Sequence, residues 1–123
     1  MRANPVCWFE IYVDDIARAK AFYETVLHVE LQPLPVDGIA MYAFDMSEQQ
    51  VGAGGALIHV PEVKAGNNST VVYFACEDCA VEESRVVAAG GQVHRPKMSI
   101  GPYGFVTLVI DTEGNLIGLH SMQ

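Results

Sequence analysis

The stretch WFEIYVDD, residues 8–15, carries the side chains with the clearest chemical potential in this chain. As a strand, it would place Trp8, Glu10 and Tyr12 on one face and apolar side chains on the other. The apolar face predicts a contact with the core. The second face combines an indole, a carboxylate and a phenol, and such mixtures line small-molecule pockets. Glu10 is also a candidate general base.

Two further aromatic side chains are candidates for lining a small-molecule pocket. Tyr103 lies in SIGPYGF, a Gly- and Pro-rich segment before a predicted strand, and binding residues often lie on such loops. Phe105 follows it, and its ring fills either a cavity wall or the core. The sequence leaves both interpretations of Phe105 open.

Charge and hydropathy exclude several classes of partner. The net charge is −8 and the pI is about 4.7, which argues against nucleic acid and against anionic membranes. No apolar run reaches the about 20 residues that a membrane span needs. The N-terminal segment lacks the layout of a signal peptide. We therefore expect a cytoplasmic protein whose partner is a small molecule.

The three cysteines include one C-x-x-C pair, Cys76 and Cys79. An odd number of cysteines cannot form a complete disulfide framework. The pair follows an apolar strand and opens a helix, which is partly the setting of a redox motif. The alternative is two half-buried thiols without chemistry. A structural zinc site would need a second ligand pair, and none follows.

The order of predicted elements occurs twice along the chain. Asp14 or Asp15 caps a helix that begins at Ile16, and Asp78 caps a second helix that stops at Gly90-Gly91. Each half predicts the order β-α-β-β-β, over residues about 4–60 and 70–122, within a single α+β domain. One face of each sheet is covered by its helix. The bare, curved faces can then enclose a cleft that contains Trp8, Glu10 and Tyr12.

Three segments carry a resemblance to a known family. They are FEIYVDDIARAKAFYETVL near the start, AAGGQV after the second helix, and DTEGNLIGL near the end. The chain resembles the vicinal oxygen chelate superfamily, which includes glyoxalase I, bleomycin-resistance proteins and extradiol dioxygenases. The resemblance implies a glyoxalase-like fold of two βαβββ modules around a cleft. It also implies a homodimer, because family members of this length complete their clefts across two chains.

Metal-dependent members of that family hold a divalent ion with one ligand on each of four strands. The matching positions here are Trp8, His59, Val71 and Gly118, and only His59 has a side chain that binds metal. We therefore expect no cofactor, although a divalent metal stays possible. A displaced site would use Glu10, His59 and His120, since Glu10 and His120 lie two residues beyond lost ligands and face the same way.

Two functions stay open from the sequence. The first is a glyoxalase/bleomycin-resistance-like protein that binds a small organic molecule in an aromatic, acidic cleft. The second is a metal-dependent lyase, isomerase or dioxygenase that uses the displaced site, and a fold resemblance alone does not choose between them. The expected ligand-binding residues are Trp8, Glu10, Tyr12, His59, Tyr73, Tyr103, Phe105 and His120.

Overall fold

The first half of the chain forms one four-stranded sheet with one helix. The structure is a computed structural model and describes residue 4 and residues 6–36, 38–45 and 52–123. The strands are β1 (Trp8–Tyr12), β2 (Gln32–Pro33), β3 (Ala40–Ala43) and β4 (Gly54–His59), and the helix is α1 (Ile16–Leu27). The Asp15 carboxylate caps α1 by accepting a hydrogen bond from the Arg18 backbone N–H at 3.1 Å.

The second half repeats this arrangement. Its strands are β5 (Tyr73–Ala75), β6 (Gln92–Ser99), β7 (Phe105–Ile110) and β8 (Leu116–Ser121), and its helix is α2 (Cys79–Val86). Asp78 caps α2 through the Ala80 backbone N–H at 3.0 Å. The helix is shorter than the predicted segment, because Val87 to Gly91 form turns in which the Gly91 N–H donates to the Val86 carbonyl.

Strand order and direction are the same in both sheets. The first sheet has the order β1-β4-β3-β2 and the second has β5-β8-β7-β6. The pairs β1–β4 and β5–β8, which begin these two orders, are parallel. The remaining neighbouring strands are antiparallel. The structure confirms the predicted α+β fold with two β-α-β-β-β units. Part of the predicted third strand, including Met46, lies outside the described residues.

The helix-covered sides of the two sheets share one core. The Phe9 ring of β1 lies 6.1 Å from the Phe74 ring of β5, and the Tyr23 ring of α1 lies 5.9 Å from Phe74. Buried side chains from both sheets and both helices join this cluster: Ile11, Val13, Phe22, Val26, Leu57, Cys79, Val86, Val109, Ile117 and Leu119. The two modules therefore pack with their helix-covered sides toward each other. Among the described helices, none is long and apolar enough to span a membrane.

Candidate functional site

Strand β1 presents a carboxylate between two aromatic side chains on its uncovered face. Ile11 is buried in the core, so alternation turns Trp8, Glu10 and Tyr12 to the opposite side of the sheet. The Trp8 indole Nε1–H donates to Glu10 Oε2 at 3.2 Å, and the Tyr12 hydroxyl donates to Glu10 Oε1 at 3.3 Å. The charge of Glu10 is the main cause that raises the pKa of Tyr12. This face therefore presents a hydrogen-bonded carboxylate between two aromatic side chains.

The second sheet also has an uncovered face, which carries Tyr73 and His120. Their neighbours Phe74 and Leu119 face the core, so Tyr73 and His120 face outward. His120 Nε2 lies 2.7 Å from the Tyr103 carbonyl oxygen. A carbonyl oxygen only accepts, so Nε2 carries the hydrogen and donates it. The bond ties the loop of Tyr103, whose side chain is 72% exposed, to β8.

His59 and Phe105 lie on the other sides of their sheets. Leu57 packs in the core, and alternation places His59 on the same helix-covered side, where its Nδ1 lies 2.9 Å from the Val13 carbonyl oxygen. Phe105 packs against the core beneath the Lys97 ammonium, 4.7 Å from the ring centroid. Neither side chain shares a face with Glu10 or His120, although the sequence analysis expects His59 in the cleft and leaves Phe105 open between the cleft and the core. Of the two interpretations of Phe105, the ring that fills the core agrees with its position in the structure.

The uncovered faces of one chain point away from each other. Phe9 and Phe74 face each other across the shared core, so the side chains on the reverse of each sheet diverge. Glu10 on β1 and His120 on β8 therefore do not meet within a single chain. The expected pairing of these two residues would need a second chain.

The residues at the positions that the resemblance assigns to metal ligands do not fit a metal ion. Trp8 and Val71 offer no ligand atom, and His59 faces the core. Gly118 lies under the Tyr73 ring, which overlaps the space where a side chain at residue 118 would begin. Among the residues that the structure describes, no group of three His, Cys, Asp or Glu side chains is arranged to hold an ion. The displaced set Glu10, His59 and His120 is likewise not brought together.

The C-x-x-C pair lies at the start of α2. Cys79 is buried, and Cys76 is partly buried beside the Glu82 carboxylate. Burial, followed by the charge of Glu82, raises the pKa of the Cys76 thiol to about 12. A thiol with such a pKa stays protonated and is a poor nucleophile at neutral pH. The raised pKa of Cys76 and the burial of Cys79 therefore favour the interpretation of two thiols without redox chemistry.

An ionic contact between buried Glu113 and half-exposed Arg18 joins the two modules, and sequence reasoning missed it. The Glu113 carboxylate, in the turn between β7 and β8, accepts two hydrogen bonds from the Arg18 guanidinium at 2.7 and 2.8 Å. It also accepts from the backbone N–H groups of Asp14 and Asp15 at 3.1 and 2.9 Å. Glu113 belongs to the DTEGN segment, which offered a signal, but its partner lies 95 positions away. The contact fixes the end of β1 and the start of α1.

Sequence reasoning also missed an open groove on the helix-covered side of the first sheet. The groove has a volume of about 680 Å³ and lies between the C-terminal part of α1 and strands β2 and β3. Lys20 lies over the Tyr42 ring at 5.4 Å and pairs with Glu24 at 3.2 Å, so its charge is already matched. The groove is separate from the uncovered face of Glu10.

Comparisons with known proteins agree with this architecture. A family model described as "Bleomycin resistance protein-like N-terminal" matches residues 6–42. A glyoxalase-related enzyme from Fulvimarina pelagi superposes with a TM-score of 0.74 and 19% identity, over 96% of this chain and 88% of that chain. A glyoxalase/bleomycin resistance protein from Albidiferax ferrireducens T118 superposes with a TM-score of 0.67 and 16% identity, over 98% of this chain and 100% of that chain.

An antibiotic-binding protein from Streptomyces sp. CB03234 is also similar, with a TM-score of 0.70 and 24% identity, over 100% of this chain and 99% of that chain. No curated protein sequence matches the chain. Structural similarity at such low identity establishes the fold, and the family model adds a sequence match over β1, α1, β2 and most of β3. Together they show that this chain has the fold of these glyoxalase-related and bleomycin-resistance proteins, and that residues 6–42 match a bleomycin-resistance-like N-terminal model.

Proposed function

We propose that this protein binds a small organic molecule in a cleft formed by two chains. One wall is the uncovered face of the first sheet, with Trp8, Glu10 and Tyr12. The other wall is the uncovered face of the second sheet from a second copy, with Tyr73 and His120. The observation that carries the proposal is the divergence of these two faces from one core, which leaves each without a counterpart in its own chain.

The character of the two faces supports binding. Aromatic surface combined with a few fixed polar groups is typical of ligand pockets. Tyr73 is 51% exposed in the single chain and Glu10 is exposed, so neither is used by the core. The similar protein from Streptomyces is described as antibiotic-binding, which is consistent with a binding role on this fold. The metal-dependent enzyme alternative would need Glu10, His59 and His120 around one ion, and their placement does not favour it.

The first experiment measures association and binding. Sedimentation at micromolar concentration should give a dimer, and a monomer would count against a cleft between chains. Binding is followed with three probes that share one ring, namely benzylammonium, benzyl alcohol and benzoate. The chain has one tryptophan, Trp8, so its emission reports on the proposed wall directly. At least one probe should change this emission saturably, and no saturable change with any of them would overturn the proposal.

A complementation experiment tests the two-chain geometry. Trp8→Ala alters the wall from the first sheet, and His120→Ala alters the wall from the second. In a mixed dimer, one cleft then carries both changes and the other carries neither. Refolding equal amounts of the two variants together should restore binding in one of the two clefts of each mixed dimer, which is about one quarter of all sites at random pairing, reported by the Trp8 of the His120→Ala chain. A cleft within each chain predicts no restoration.

A further inference from the structure

The Glu10 carboxylate is held in place by neutral donors on both sides. The Trp8 indole and the Tyr12 hydroxyl each donate one hydrogen bond, at 3.2 and 3.3 Å, to different oxygens of the carboxylate. These bonds orient the carboxylate but leave its full negative charge in place. The two aromatic side chains consequently stand on either side of a fixed anion.

Within a single chain, the described residues provide no Lys or Arg side chain that pairs with this anion. The three ion pairs of the described chain join Arg18 with Glu113, Lys20 with Glu24, and Lys97 with Asp78. On the neighbouring strand, Gly54 and Ala56 lie level with Trp8 and Glu10, so no long side chain of β4 covers the carboxylate. Glu10 is exposed as a result, with space beside it on the sheet.

An anion flanked by aromatic rings is complementary to an organic cation. The electron-rich faces of Trp and Tyr rings attract ammonium groups, and a carboxylate accepts hydrogen bonds from them. The net charge of −8 adds a long-range attraction for cations and repels anions. We propose that the Trp8–Glu10–Tyr12 face selects protonated organic amines that carry an apolar or aromatic body. This inference rests on the proposed small-molecule cleft and assigns the charge of its ligand.

The three benzyl probes separate this inference from the proposed function. Benzylammonium, benzyl alcohol and benzoate share a ring and differ in charge at the same position. We expect benzylammonium to bind at least about tenfold more tightly than benzyl alcohol, and benzoate to bind most weakly, at about 50 mM salt. A preference for the alcohol or for benzoate would overturn the cation assignment while the proposed function stands. Absence of binding by all three would overturn both.

Glu10→Gln tests which group provides the selectivity. The amide keeps the shape and an acceptor oxygen but removes the charge. We expect the affinity for benzylammonium to fall about tenfold, and the affinity for benzyl alcohol to stay within about twofold. Glu62→Gln is the matched control, because it removes an exposed carboxylate from a loop outside β1 and changes the net charge equally.

The control also separates local from global charge. An equal loss of benzylammonium affinity in Glu62→Gln and Glu10→Gln would mean that the net charge, and not the face, attracts the cation. An unchanged preference in Glu10→Gln would overturn the assignment directly. Thermal unfolding of both variants checks that they are folded.

Discussion

The aromatic ring of Tyr73 lies over Gly118 on the uncovered face of the second sheet. The two residues are paired neighbours on the parallel strands β5 and β8. The resemblance to the vicinal oxygen chelate superfamily implies a metal-binding carboxylate at position 118, and in this chain a ring from the adjacent strand fills that space. Any side chain at this position would require the ring to rotate away.

Gly118→Ala should lower the free energy of unfolding by about 1 to 3 kcal/mol, because the new methyl group overlaps the Tyr73 ring. The same change in a Tyr73→Ala background should cost less than half as much, since the ring is then absent. Urea unfolding of the wild type, both single variants and the double variant gives the coupling between the two positions. Equal costs in the two backgrounds would show that the contact does not limit residue 118.

Glu113→Gln should lower the free energy of unfolding by about 2 kcal/mol at pH 7, because it weakens the bonds from Arg18 and from two backbone N–H groups. The matched control is Glu62→Gln, which removes an exposed loop carboxylate and should change the free energy of unfolding by no more than about 0.5 kcal/mol. Urea titration measures both. A loss in Glu113→Gln no larger than that in the control would contradict the role of this contact.

Acid should destabilise the wild type partly through Glu113. Burial alone would raise the pKa of this carboxyl, but hydrogen bonds from Arg18, Thr112 and Asp15 outweigh burial and lower the pKa to about 2. The unfolded chain therefore binds a proton at higher pH than the folded chain does. The contribution of Glu113 is complete above about pH 5 and is lost as the pH falls toward 2. Unfolding measured from pH 6 to pH 3 should lose less stability in Glu113→Gln than in the wild type.

Trp8→Ala should cost about 1 kcal/mol of unfolding free energy, because Trp8 lies on an uncovered face. The control is Phe22→Ala, whose ring is 1% exposed in the core and should cost about 3–5 kcal/mol. Urea titration followed by circular dichroism measures the free energy of unfolding of both variants, because Trp8→Ala removes the only tryptophan whose emission could be followed. A cost for Trp8→Ala as large as that for Phe22→Ala would remove Trp8 from the proposed cleft wall.

Dialysis against Zn²⁺, Ni²⁺ or Mn²⁺ should leave no stoichiometric metal on the wild type, because Glu10, His59 and His120 lie on different faces. Elemental analysis of the wild type and Glu10→Gln measures the retained ion. Tightly held metal in the wild type that disappears in Glu10→Gln would restore the displaced metal site and, with it, the enzyme alternative.

The sequence by itself determined the local order of the structure. Asp15 and Asp78 cap the two helices as the pattern predicts, and the repeated β-α-β-β-β order is present. It also placed Trp8, Glu10 and Tyr12 together on one side of β1. These features follow from neighbouring residues, because capping and strand alternation need no distant partner.

Only the tertiary structure decided which side of its sheet each further residue occupies. A shift of one residue reverses the facing of every side chain on a strand, and so His59 and Phe105 lie on the covered sides. Because both modules pack on one core, their uncovered faces point in different directions. Glu10 and His120 are therefore far from each other within one chain. The Arg18–Glu113 contact belongs to the same level, because it joins residues 95 positions apart that only folding brings together.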